Sequence, residues 1–125
     1  MRVARLRALS VLAGGAAGAL ARARVGEALP HGPGEWPWAT FAVNIAGTVL
    51  LGWLTIRLTE MGYWRLLLGT GFCGALTTFS TFQVETITLA KEGHVGVAAG
   101  YAVTSLAAGM SLAAAATVIA RRRHG

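Results

Sequence analysis

Four long apolar stretches, separated by short polar connections, run through the chain. Arg7 and Arg22 enclose the first stretch, and both can snorkel toward a membrane surface and so lengthen the helix that they flank. Because a helix needs about 20 apolar residues to cross a bilayer, the pattern predicts an all-α integral membrane protein with a single domain, residues 1–125. The four predicted spans are about residues 3–24, 36–56, 66–90 and 95–120.

The composition supports lipid as the solvent of this chain. Hydrophobic residues make up 54% of the sequence and charged residues 13%, whereas soluble domains carry roughly 25% charged residues. The N-terminal stretch also resembles a secretory signal, with basic residues, a short apolar core and a small-residue tripeptide at 19–21. Its glycines, Gly14, Gly15 and Gly18, fit a close helix-packing face better than a signal core.

The net charge of +6 lies at the ends of the apolar stretches. This placement argues against a basic face for nucleic acid and for membrane orientation signals. Four spans place both termini on the same side of the membrane. Eight lysine and arginine residues flank that side, and three, Arg22, Arg24 and Lys91, flank the other. The excess predicts cytoplasmic termini.

The third span carries an unusual run of hydroxyl side chains near its middle. Four of five successive positions are Thr77, Thr78, Ser80 and Thr81, and each hydroxyl can bond to a backbone carbonyl in competition with the helix. The pattern leaves two interpretations open: a continuous helix with internally bonded hydroxyls, or a local break. Non-helical backbone at that depth must be buried in protein or line a cavity, where freed carbonyls can bind a cation.

Other polar residues within the spans are candidates for a polar path. Asn44 either bonds another helix or donates to an ion in a pore. Tyr101 and Ser105 share a helical face, and Glu85 is a carboxylate between long apolar runs, which makes it a functional candidate. Arg22 either snorkels or attracts anions to a vestibule.

The sequence contains no motif of a soluble enzyme: no phosphate-binding glycine loop, no paired carboxylates and no cluster of cysteine and histidine ligands. We therefore expect a protein without catalytic residues. His31, His94 and His124 lie apart in loops or the tail, and we expect them to be solvated.

Three motifs together resemble those of the Fluc fluoride channels, also called CrcB proteins. The first is the glycine-rich segment 14–19 with Arg22, and the second is the segment 44–48 that begins with Asn44. The third and most specific is the segment 71–82, which contains the hydroxyl run, followed by Glu85. The match extends over essentially the whole chain, including its length and its number of spans.

The resemblance implies a fluoride-selective channel in the inner (plasma) membrane that exports fluoride from the cytoplasm. It also implies an antiparallel, dual-topology dimer with two pores and a structural sodium ion at its centre. Backbone carbonyls of Gly74 and Thr77 match the sodium ligands. The residues that match the pore are Asn44, Phe79, Ser80, Thr81, Phe82, Glu85, Tyr101 and Ser105, with Arg22 in the vestibule.

Two features depart from these expectations. Gly109 stands where other members of the family carry a further serine or threonine one turn after Ser105. The charge count is also unequal, although a homodimer of antiparallel copies requires each chain to insert in both orientations. We expect a homodimer, and a heterodimer with an oppositely oriented relative is the alternative.

Two other functions are compatible with four short spans. A small proton-coupled multidrug exporter needs a membrane carboxylate, usually in its first span, and the first span here has none; Glu85 is the candidate. A non-transporting assembly subunit would conduct no ions.

Overall fold

The computed structural model describes residues 1–58 and 62–124, and these residues form helices and short connections without any strand. Three helices are long and apolar enough to cross a membrane: α1 (Arg2–Ala28), α2 (Trp38–Arg57) and α6 (Val95–His124). Their bounds overlap those predicted from the apolar stretches. The chain is therefore an all-helical, multi-pass membrane protein.

The region of the predicted third span consists of shorter elements. It begins with α3 (Tyr63–Arg65), a π-helix (Leu66–Cys73) and α4 (Gly74–Leu76). Two residues with extended backbone follow, and α5 (Phe79–Lys91) completes the region. The predicted second and third spans leave a connection at residues 57–65, but helix resumes at Tyr63, before the predicted start of the third span. Residues 59–61 of this connection lie outside the described residues.

Glycines allow α1 to pack directly against the backbone of the π-helix. A Cβ atom at Gly14 would overlap the Leu67 carbonyl oxygen, and a Cβ atom at Gly18 would overlap that of Phe72. On the other side of this contact, a Cβ atom at Gly71 would lie 2.7 Å from the Val11 carbonyl oxygen. The predicted packing role is confirmed for Gly14 and Gly18, since side chains there would force the two backbones apart, whereas a Cβ atom at Gly15 would make only an ordinary contact.

The long helix α6 packs along α2 and α5. Gly52 of α2 lies against Ala113 of α6, where a Cβ atom would be 3.0 Å from the carbonyl oxygen. Between α5 and α6, a buried cluster of Phe82, Leu89, Ala98 and Tyr101 forms the core.

Much of the apolar surface of the long helices faces outward. Val103, Leu106 and Met110 of α6 are 67%, 57% and 74% exposed. A water-soluble protein would bury such a continuous apolar face. Lipid or another membrane helix is the environment that suits it.

Candidate functional site

The backbone leaves the helical conformation at Thr77 and Thr78, within the hydroxyl run. Both residues are extended, with φ −79° and ψ 151° at Thr77 and φ −147° and ψ 111° at Thr78. The Thr78 hydroxyl then caps α5 by accepting a hydrogen bond of 3.2 Å from the Thr81 N–H. The Thr77 hydroxyl bonds back to the Cys73 carbonyl at 2.9 Å. Two of the four hydroxyls are thus used to end one helix and to start the next.

The side-chain amide of Asn44 bonds to both backbone groups of Thr78. Its Nδ2 donates to the Thr78 carbonyl at 3.1 Å, and its Oδ1 accepts from the Thr78 N–H at 2.7 Å. An amide carries a donor and an acceptor, so it can replace the two bonds that a helix would have supplied. Asn44 therefore makes the predicted inter-helix bond, and the bond is to the backbone of the interruption.

These two side-chain bonds release the carbonyls of Gly74 and Thr77 from the helix ladder. In a continuous helix the Gly74 carbonyl accepts from the N–H of Thr78, and the Thr77 carbonyl accepts from that of Thr81. Here Asn44 takes the first N–H and the Thr78 hydroxyl takes the second. The two carbonyls that the family resemblance matches to cation ligands are among those that lose their ladder donors at this interruption, and Gly74 is exposed.

An open groove of about 430 Å³ lies beside the interruption, between α2, α5 and α6. Phe79 and Phe82 line it with their rings stacked at a centroid distance of 6.0 Å. Ser105 lines it from α6, and its buried hydroxyl has no hydrogen-bond partner within the described residues. Beyond Ser105 the α6 side of the groove is apolar, at Leu106, Gly109, Met110 and Ala113.

The absence of a partner for Ser105 indicates a place where a polar ligand would be stabilised. A hydroxyl removed from water without a hydrogen bond costs about 1–3 kcal/mol. Phenyl rings beside it present electropositive edges, which attract anions. The groove therefore places an unpartnered hydroxyl near two aromatic rings, and its remaining polar lining comes from Asn44 and three threonines.

A second cavity, of about 340 Å³, holds the charged residues of the site. Arg22, His31, Thr81 and Glu85 line it, together with the backbone region of Thr78. Tyr101, fully buried, donates a hydrogen bond of 3.1 Å from its hydroxyl to Oε1 of Glu85. The ring of Tyr101 lies 5.1 Å from that of Phe82, so the second cavity and the groove are joined through a Glu85–Tyr101–Phe82 contact chain.

The structure thus brings most of the predicted residues to two neighbouring cavities on either side of the interruption. Asn44, Phe79, Phe82 and Ser105 are at the groove, and Arg22, Thr81 and Glu85 are at the second cavity. Ser80 differs, because it is exposed and lines neither cavity.

One residue of the site was missed. His31 was expected to be isolated and solvated. It is exposed, as expected, but the expected isolation was wrong, because its Nε2 lies 3.8 Å from Oε2 of Glu85. No local pattern indicates this contact, because 54 positions separate a loop residue from a residue of α5. His94 also has a neighbour, since its ring lies against the backbone of Gly34.

Comparison with known proteins places this architecture in a family. The profile described as "CrcB-like protein, Camphor Resistance (CrcB)" matches residues 9–117. This chain belongs to the CrcB family. A CrcB relative from Mycolicibacterium paratuberculosis, named fluoride-specific ion channel FluC 1, is 53% identical over 117 residues, which are 90% of this chain and 89% of the relative.

More distant relatives in the family carry the same kind of name. Fluoride-specific ion channel FluC of Bordetella avium is 44% identical over 113 residues, covering 87% of this chain and 88% of the relative. That of Chlorobaculum tepidum is 43% identical over 119 residues, covering 90% and 93%. The CrcB match therefore includes the interrupted region and both cavities.

Proposed function

We propose that this CrcB-family chain is a fluoride-selective ion channel of the inner membrane that exports fluoride from the cytoplasm and so lowers its toxicity. The observation that carries the proposal is the free, buried hydroxyl of Ser105 in the same groove as the stacked Phe79 and Phe82. The names of the relatives support the same ion.

The chemistry of the two cavities suits a small, strongly hydrated anion. Such an ion enters a narrow path only if donors there replace its hydration water. Arg22 would draw anions into the second cavity, Thr81 and Ser105 would donate hydrogen bonds, and the phenyl edges would supply weak positive potential between them. Asn44 would act mainly by holding the interruption, because two of its hydrogen-bonding positions are occupied by Thr78.

In this proposal the interrupted region 63–91 is a fourth membrane span, broken at Thr77 and Thr78. Its backbone at the break would be exposed to lipid in a single chain, which costs several kcal/mol per unsatisfied group. A second, antiparallel copy packed on this face would cover the break and the groove, including Phe79, which is 66% exposed. The pair would then contain two pores related by symmetry.

A sodium ion fits the centre of such a pair. Sodium is a hard cation that prefers oxygen ligands, by the same rule that governs calcium and magnesium. The released carbonyls of Gly74 and Thr77 would hold it from each copy, and the ion would supply the positive charge that joins the two subunits. Its role in this proposal is structural.

The unequal charge count bears on the identity of the second copy. If the chain expressed alone inserts in both orientations, tags on its termini will be accessible from both sides of the membrane, as a homodimer requires. A single orientation would contradict the homodimer and favour an oppositely oriented relative as the partner.

The two other functions have less support from the geometry. A proton-coupled multidrug exporter needs a carboxylate that exchanges protons for cations, whereas Glu85 shares its cavity with Arg22, whose charge would repel a cationic substrate. An assembly subunit without transport gives no reason for a buried, unpartnered hydroxyl in an open groove.

Purified protein in liposomes tests the proposal. Vesicles loaded with potassium fluoride or potassium chloride are diluted, valinomycin is added to balance charge, and anion efflux is followed by electrode. We expect fast fluoride efflux without chloride efflux, and a marked reduction of it in Ser105→Ala. Absence of fluoride efflux from folded, dimeric protein would refute the proposed function.

A further inference from the structure

The loop between α1 and α2 places an imidazole at the entrance of the second cavity. His31 lines both this cavity and a third one of about 270 Å³, and its side chain is 33% exposed, compared with 13% for that of Glu85. Within the described part of the chain, His31 is the side chain able to carry a positive charge that lies at ion-pair distance from the Glu85 carboxylate. His31 is thus a partly exposed side chain beside the less exposed carboxylate of Glu85.

The charge of Glu85 opposes the proposed function of the cavity. Arg22 and Thr81 share this cavity with Glu85, so an anion attracted by Arg22 also meets the carboxylate. Like charges a few ångströms apart repel strongly in a medium of low dielectric constant. A positive charge on His31, 3.8 Å from the carboxylate, would offset that repulsion.

Histidine is suited to do this conditionally, because imidazole ordinarily gains a proton near pH 6.5. A neutral imidazole at this position leaves the Glu85 charge uncompensated, and a protonated one makes the pair neutral overall. We infer that His31 is a positioning residue that sets the charge at the pore entrance, so that fluoride conduction rises as the pH falls through the ordinary range of histidine. This inference rests on the proposed channel function.

Other ionisable groups lie near His31 or near the Glu85 carboxylate. Arg22 and Glu92 line the cavities that His31 lines, Glu35 accepts a hydrogen bond from the Gly32 N–H within the loop, and Tyr101 is bonded to Glu85. Arginine, tyrosine and ordinary carboxylates do not change charge between about pH 5.5 and 7.5. His94 is the other imidazole near this loop; it packs against Gly34 and has no ion-pair contact with Glu85 among the described residues.

The experiment measures fluoride efflux from liposomes with the same pH on both sides, at about pH 5.5 and about pH 7.5. Both faces are adjusted together because an antiparallel pair carries a His31 on each. The leak of protein-free vesicles is subtracted at each pH, since hydrogen fluoride crosses lipid more easily in acid. The proteins compared are wild type, His31→Gln, His31→Lys and His94→Gln.

We expect wild-type efflux to be about two- to fivefold faster at the lower pH, the upper part of the range that an ion pair near a protein surface supplies. Fluoride efflux through His31→Gln should be slow at both pH values. Efflux through His31→Lys, which carries a permanent charge, should be fast at both. His94→Gln, which changes the other histidine of the same end, should keep the wild-type response.

The results distinguish a failure of the role of His31 from a failure of the proposed channel function. Fluoride efflux that does not depend on pH in wild type, or an unchanged response in His31→Gln, overturns the role of His31 and leaves the channel function intact. A lost response in His94→Gln also overturns it, since the sensor would then be the other histidine. Absence of fluoride efflux at both pH values overturns the proposed function and this inference with it.

Discussion

Replacing Asn44 by leucine should destabilise the folded chain, because Asn44 alone supplies the two hydrogen bonds to the backbone of Thr78 that are found in the described residues. Leucine has the same branched shape as asparagine and is larger, so the change removes the two bonds without leaving a cavity. The Thr78 N–H and carbonyl would then lack partners at a point where the helix ladder is already interrupted.

The magnitude follows from the two bonds. Side-chain hydrogen bonds between membrane helices contribute on average about 0.6 kcal/mol and at most about 1.7 kcal/mol each. A buried backbone group left unsatisfied costs about 1–3 kcal/mol. Because the Asn44–Thr78 contact is only partly buried, we expect a loss of about 2–4 kcal/mol in the free energy of unfolding.

Thr48→Val is the matched control. Thr48 lies one helical turn from Asn44, and the bond that its hydroxyl makes among the described residues is to the Asn44 carbonyl of the same helix, at 2.6 Å. Losing that local bond should cost about 0.5 kcal/mol or less. Unfolding is measured in detergent micelles by steric trapping, at one protein concentration because dimer stability depends on it. If Asn44→Leu were no less stable than Thr48→Val, the assigned role of Asn44 would be wrong.

Two further predictions concern packing and conduction. Gly18→Ala should lower the free energy of unfolding by about 1–3 kcal/mol, because its methyl group meets the Phe72 backbone; Gly96→Ala, with open space around it, should be neutral or slightly stabilising, and equal effects would contradict the close contact. Phe79→Ile and Phe82→Ile should each reduce fluoride efflux, while chemical cross-linking should still detect the dimer. Unchanged efflux in both variants would contradict a role for the aromatic pair in conduction.

Much of the fold follows from patterns within the sequence. Apolar length predicted three helices that the structure contains as continuous elements, and the hydroxyl run at 77–81 marked the place where helix gives way to extended backbone. These features are local: they depend on the length of an apolar run and on side chains that compete for their own backbone. The helices and the interruption can therefore be predicted without knowledge of contacts between distant parts of the chain.

The partners across the fold could not be obtained in the same way. The alternatives for Asn44 were a bond to another helix or a donor in a pore, and only packing shows that its amide bonds to Thr78, 34 positions away. The π-helix at Leu66–Cys73 was also not predicted, because its apolar residues fit an ordinary helix equally well. His31 was misjudged because loop residues reveal their neighbours only after the helices are packed.

Planar-bilayer recording tests the central claim most directly, since it measures both conduction and ion selectivity. Wild-type channels are inserted into a bilayer that separates two solutions, one with tenfold more fluoride and the other with tenfold more chloride. A fluoride-selective pore should reverse at about 59 mV, the value for a tenfold ratio of a singly charged ion, with the sign set by fluoride. Absence of current, or a reversal potential with the sign set by chloride, would contradict the account.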